Sequence, residues 1–227
     1  MTRVCALANR VHGRHQEMYL ALERSLERKG VPFFFFMEGG PWSWERKVQW
    51  EYEQASAHPD DNFVFIDAFD YLFVGEKEEL DGIVQSVPLG FSCDAGRKPW
   101  PEAELAPSYD HRRKKITPWC WLNGSGPFGK GAKIAEAAEF GLKRFQWLPA
   151  ETDQTFWTRV FLYGYGELDQ TCMMTQALYD SAQPAPHVTP HVSLHNGRPV
   201  NTLTLSRPQF LHASGHSWSI IPEELYG

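Results

Sequence analysis

The segment Phe63-Val64-Phe65-Ile66-Asp67-Ala68-Phe69-Asp70 decides how this chain is read. Four apolar residues run directly into two carboxylates three positions apart. The uninterrupted run predicts a strand, Phe63–Ile66, buried on both faces. In open α/β sheets ligands gather at the carboxyl ends of such strands. Two carboxylates placed there repel each other unless a cation lies between them. Hard oxygen ligands suit Mg²⁺ or Mn²⁺, ions that also hold a substrate's phosphates. The bland alternative is that Asp67 caps the next element and Asp70 is exposed. A phosphatase or phosphotransferase favours D-x-D spacing; here the spacing is D-x-x-D, followed by Tyr71-Leu72.

Outward from this segment, apolar runs alternate with amphipathic stretches. Arg3–Ala8 and Pro32–Met37 read as strands, and Leu89–Cys93 as another. Gln16–Arg28 places Tyr19, Leu22 and Leu26 on one helical face, with Gly30 as a fitting C-terminal stop. Ser43–Ala57 reads as a helix capped by Ser43, with Trp44, Val48 and Tyr52 at helical spacing. His58-Pro59-Asp60-Asp61-Asn62 breaks it before the decisive strand. Lys77–Val87, Gly131–Phe140 and Gln154–Tyr163 are further helices, whereas the Pro-rich Ala95–Trp119 reads as loop. This alternation predicts an α/β domain with a mostly parallel central sheet flanked by helices. With no repeat and no long linker, residues 1–227 read as one domain. Its core spans about 1–180, and the Pro/His/Ser-textured remainder, 181–227, is a C-terminal extension.

The composition excludes several classes. The 227 residues suffice for one real core, and a 14% aromatic content with nine Trp rules out disorder. No apolar run approaches the roughly 20 residues that span a bilayer. There is no apolar leader, and Cys5, Cys93, Cys120 and Cys172 form no CxxC pair, so a reduced, cytoplasmic protein is expected. The net charge of −6 argues weakly against a nucleic-acid partner.

Several motifs follow one another in order. Phe65–Asp70 resembles the metal-binding acidic motif of nucleotide-sugar glycosyltransferases with the GT-A fold. The nearest version is that in the glycosyltransferase domain of the procollagen lysyl hydroxylase/glycosyltransferase family. Phe91-Ser92-Cys93-Asp94 with Trp100-Pro101 resembles that family's strand, acidic residue and Trp-Pro. Leu122–Gly129 resembles its N-S-G-x-x-x-G loop, with an extra Gly after Asn123. Asp153–Thr158 resembles its D-D-Q-x-x-x-T segment, with Thr152 where the first acid stands. Leu168-Asp169-Gln170 and His195-Asn196-Gly197 resemble its later Leu-Asp and closing H-N-G. The resemblance covers roughly residues 45–200.

The resemblance implies a GT-A, Rossmann-like fold and transfer of glucose or galactose from a UDP-sugar to a hydroxyl. Asp67, Asp70 and His195 would hold Mn²⁺ or Mg²⁺, with Asp67 also near the ribose. A clamped divalent ion stabilises charge growing on a diphosphate leaving group. His195 reads equally as a loop residue beside an Asn-Gly turn. Asp153, and then Asp94, are the catalytic carboxylates, reading sugar hydroxyls or accepting the acceptor's proton. Donor contacts are expected from Asn9, Lys47, Asn123, Gly124, Ser125, Gly126, Asn196 and Gly197, with Arg10 beside Asn9. Lys47 reads alternatively as a surface residue of an amphipathic helix, and Asn123–Gly129 as an ordinary turn.

Acceptor contacts are expected from Trp100, Trp119, Trp121, Arg112 and Arg113. The resemblance implies a hydroxylysine-like peptide. A hydroxymethylated pyrimidine in DNA is a second acceptor: Arg112–Lys115 can contact phosphates, and Trp119 and Trp121 can stack on a displaced base. A glycan is a third. Trp42 and Trp44 are further aromatic platforms for a sugar, or simply core. Two other classes compete: a sugar-nucleotide-binding module without turnover, and a HAD-like phosphatase.

Overall fold

The computed structural model describes residues 1–8, 14–95, 106–148, 151–180, 187–188, 191–213, 221 and 225. In chain order the elements are β1 (Thr2–Ala8), α1 (Arg14–Arg28), β2 (Phe33–Met37), α2 (Trp44–Ala57), β3 (Asn62–Phe65), β4 (Tyr71–Phe73), α3 (Lys77–Ser86) and β5 (Leu89–Asp94). There follow α4 (Ala106–Arg113), β6 (Trp121–Lys130), α5 (Gly131–Arg144), α6 (Asp153–Leu162), β7 (Glu167–Leu168) and β8 (Thr175–Ala177). The chain continues through β9 (Tyr179–Asp180), β10 (His187–Val188), β11 (Val192–His195), β12 (Arg198–Asn201) and β13 (Phe210–His212).

The central sheet has the order β2-β1-β3-β6-β5-β7. β1 runs parallel to β2 and β3, and β5 parallel to β7. Only β6 is reversed, pairing antiparallel with β3 and β5. All four residues of β3 are buried, as its unbroken apolar run predicts for a strand covered on both faces. Alternate side chains feed opposite layers. Cys5, Leu7, Phe63 and Phe65 join a core with residues of α2, α5 and α6. Val4, Ala6, Val64 and Ile66 join a second core with Leu22 and Leu26 of α1 and Leu80 and Val84 of α3. The fold is therefore a three-layer α/β domain with a mostly parallel sheet, as expected.

A smaller sheet, β4-β13-β8, lies beyond the end of β3. β13 pairs antiparallel with β4 and parallel with β8, and Phe210 is fully buried in the second core. Two local expectations change. The Pro-rich 95–119 stretch contains α4. The glycine-rich run Asn123–Gly129 lies within β6 rather than in a loop. The glycines mark a bulge: Phe91 faces Pro127 while Cys93 faces Leu122, so Asn123–Gly126 stand opposite Ser92 alone. Among the described residues no helix is long and apolar enough to cross a membrane.

Candidate active site

The chain leaving β3 carries Asp67 and Asp70, then enters β4. The antiparallel register of β4 and β13 sets His212 opposite Tyr71, and the Ala213 N–H donates to the Asp70 carbonyl at 2.8 Å. Ligand atoms of Asp67, Asp70 and His212 consequently all lie within 4.8 Å of one another. His212 is buried and its ring stacks on Tyr71, with centroids 4.6 Å apart. The donor set of two carboxylates and one imidazole suits Mn²⁺, and Mg²⁺ less well.

The histidine brought to the two aspartates is thus His212 and not His195. His195 is exposed on β11, opposite Arg198 across a two-residue turn. Asn196 and Gly197 form that turn, with φ of 52° and 73°, the signature of a type I′ hairpin. The hairpin is tied to α3 through Arg198, which donates to Glu79 at 2.6 and 3.1 Å. Asn-Gly here does what its turn chemistry requires. His212 carried a signal of its own: like Asp67, it ends an apolar run, Phe210-Leu211.

Lys47 is not a surface residue. It is 1% exposed, and its ammonium donates to Asp67 Oδ1 at 2.6 Å, Asp153 Oδ2 at 2.6 Å and the Ser125 carbonyl at 3.0 Å. Three N–H groups meet three acceptors. Burial alone would lower its pKa, yet Asp153 and Asp67 carry it well above the ordinary lysine value. Ser43 starts α2 as expected, its side chain accepting from the Arg46 N–H at 3.0 Å. The stripe Lys47-Glu51-Ala55 then faces inward beside Val48.

Asp153 opens α6, after Thr152 as N-cap. Its Oδ1 accepts from the Gln154 N–H at 2.8 Å, so both carboxylate oxygens are engaged. Burial pushes its pKa up to about 6 against the pull of Lys47. Gln154, a residue to which sequence reasoning gave no role, is buried and donates to the Leu122 carbonyl at 2.7 Å.

The β6 bulge supplies the opposite wall. Ser125 donates to Asn123 Oδ1 through its N–H at 3.0 Å and its hydroxyl at 2.8 Å. The Asn123 amide nitrogen then lies 3.2 Å from Asp94 Oδ2 and 3.0 Å from His212 Nδ1. Ser125 also bonds the Tyr71 hydroxyl. Glycine is required twice. A Cβ on Gly124 would lie 2.8 Å from Gln154 Cα, and Gly126 has φ +140° with Phe65 backbone against it. Asn123, Gly124, Ser125 and Gly126 are therefore gathered with Lys47, Asp67, Asp94 and Asp153, chiefly as scaffold.

The expected acceptor residues fare differently. Trp119 is fully buried. Trp121 stacks on Tyr109 at 5.0 Å and lies beneath Arg113. Arg113 pairs with Asp110 at 2.7 Å. Arg112 donates to the Phe161 and Gly166 carbonyls, closing the last turn of α6. Both arginines line a cleft with Leu89 at one end of β5, and Trp121, which Arg113 covers, stands opposite Asp94 at the other end. Asn9, Arg10 and Trp100 fall outside the described residues.

The assembled group holds four carboxylates, Asp67, Asp70, Asp94 and Asp153, against Lys47 and His212. Such an excess of negative charge at a strand end favours a bound cation. No family model matches the chain, and no curated protein sequence does. Solved structures do. A glycosyltransferase involved in glycosylation of the major capsid of PBCV-1 aligns over 96% of this chain and 95% of its own, with 12% identity and TM-score 0.55. The galactosyltransferase LgtC, in complex with donor and acceptor sugar analogues, aligns over 95% of this chain and 88% of its own, with 12% identity and TM-score 0.46. The first of these likenesses establishes a glycosyltransferase fold.

Proposed function

We propose that this protein is a metal-dependent glycosyltransferase, moving glucose or galactose from a UDP-sugar to a hydroxyl acceptor. One observation carries the reading: Asp67, Asp70 and His212 converge at the carboxyl end of β3. The fold shared with the capsid glycosyltransferase supports it, as does that enzyme's near-equal length of aligned chain.

Asp67, Asp70 and His212 would hold Mn²⁺, which when bound offsets charge on the two phosphates of the leaving group. Lys47 fixes Asp67 and adds a positive charge on the side of Asp153. Asp153, both oxygens engaged, is a rigid acceptor for sugar hydroxyls. Asp94, at the end of β5, is the carboxylate assigned to receive the acceptor's proton if transfer inverts the anomeric centre. Gly124 and Gly126 let the β6 backbone pack against Gln154 and Phe65, which holds Asn123 and Ser125 beside the carboxylates. With Arg112 and Arg113 committed to α6, Asp110 and Trp121, a peptide or glycan hydroxyl is preferred over DNA as acceptor.

The test is a screen for UDP release with Mn²⁺ across UDP-glucose, UDP-galactose and acceptors of the three classes. Release is expected with one donor, and Asp70→Ala should abolish it. Full activity in Asp70→Ala would remove the metal assignment. Mn²⁺-dependent binding of UDP-sugar without release would mean a binding module instead.

A further inference from the structure

Behind Lys47 lies an acid that the proposed reaction does not use. Glu51 is 0% exposed, one helical turn beyond Lys47 on α2. Its Oε2 accepts from Trp157 Nε1 at 3.1 Å, and Trp157 lies one turn beyond Asp153 on α6. Two rungs thus join the same pair of helices at matched four-residue spacing: Lys47 to Asp153, and Glu51 to Trp157. Glu51 Oε1 is buried with no hydrogen-bond partner among the described residues. An ionised carboxylate there would leave a charged oxygen unpaired in the core, a costly state that the neutral acid avoids.

Charge balance points the same way. The groups facing Glu51 are Lys47 on its own helix, Asp153 on α6 and Asp67 after β3. One ammonium already serves two carboxylates at 2.6 Å. A third ionised acid would compete for Lys47 and draw it away from the site.

We infer that Glu51 is a positioning residue: as the neutral acid it locks α2 to α6 through Trp157 and leaves Lys47 wholly to Asp67 and Asp153. Its role in transfer rests on the glycosyltransferase reading; the locking itself does not. Burial raises the Glu51 pKa to about 8, with Asp153 and Asp67 adding to the rise against Lys47 and the Trp157 bond.

Two amide-independent NMR signals test this on the donor-free protein: the Trp157 indole N–H, assigned by its loss in Trp157→Phe, and the buried Lys47 ammonium. The indole is expected to titrate with a midpoint near pH 8 in the wild type and not at all in Glu51→Gln. The Lys47 signal should persist in Glu51→Gln and shift or vanish in Glu51→Leu. In transfer assays Glu51→Gln should stay within about twofold of wild type at neutral pH, while Glu51→Leu loses about tenfold or more in kcat. An indole flat between about pH 6 and 9, or Glu51→Gln as damaged as Glu51→Leu, overturns the inference. A titrating indole in a protein that transfers no sugar overturns the glycosyltransferase reading and upholds the lock.

Discussion

Lys47 donates to Asp153 across 2.6 Å, joining the first turn of α2 to the first residue of α6. The Asp153 side chain is 6% exposed and that of Lys47 1%, so neither charge has water to fall back on. Lys47→Met should lower the unfolding free energy by about 3–5 kcal/mol, because it strands a buried carboxylate. Urea denaturation measures this. A loss below about 1 kcal/mol, the range of surface pairs, would show that the carboxylate finds another partner.

The two histidines are separable by metal affinity. His212→Ala should weaken Mn²⁺ binding by at least about tenfold, read by calorimetry or by the Mn²⁺ resonance signal, since even supporting residues of metal sites have effects of that size. His195→Ala, on the exposed hairpin, should leave the affinity unchanged. The reverse result would place the ion elsewhere.

Gly126 tests the β6 bulge. Its φ of +140° and the Phe65 atoms within 3.0 Å of any Cβ leave no room for alanine. Gly126→Ala should destabilise by more than about 1 kcal/mol. Gly82, in the exposed middle of α3 with open space around it, is the control. Gly82→Ala should stabilise by about 0.5–1 kcal/mol. Equal effects in thermal melts would contradict the strain assigned to the bulge.

The Glu51 contribution to stability should fall as pH rises from about 4.5 to about 8. The folded state holds Glu51 near 8 against an ordinary 4.5, so it binds the proton that the unfolded chain has lost. Such a contribution is present in acid and disappears as pH rises through 8. Asp153, raised only to about 6, completes its own decline at lower pH, so the slope above pH 6 belongs chiefly to Glu51. Denaturation across that range should show the slope in wild type and its loss in Glu51→Gln. An unchanged slope in the variant would assign it to other groups.

Much of the fold was legible because its signals are local. The run Phe63–Ile66 specifies a strand covered on both faces, and Ser43 specifies where α2 begins. The position of Asp67 and Asp70 at a strand end follows from the same run. The apolar run before His212 is a local signal, but its meeting with Asp67 and Asp70 was not legible, because β13 reaches β4 by a pairing that no local pattern encodes. Lys47 was expected at the site, but its full burial was not legible: lysine is almost never fully buried unless paired, and its partners, Asp67 and Asp153, come from distant segments. The β6 glycines looked like a turn because glycine serves both turns and bulges, and only the pairing with β5 distinguishes them.

The central place of β13 in the small sheet has a consequence for how the site comes into being. During synthesis Asp67, Asp70 and Asp153 all leave the ribosome before His212 does. Until β13 pairs with β4 and β8, Asp67 and Asp70 lack the histidine that completes their cluster. The proposed metal site is thus completed by a strand synthesised well after its two carboxylates, and metal uptake would report on the docking of β13.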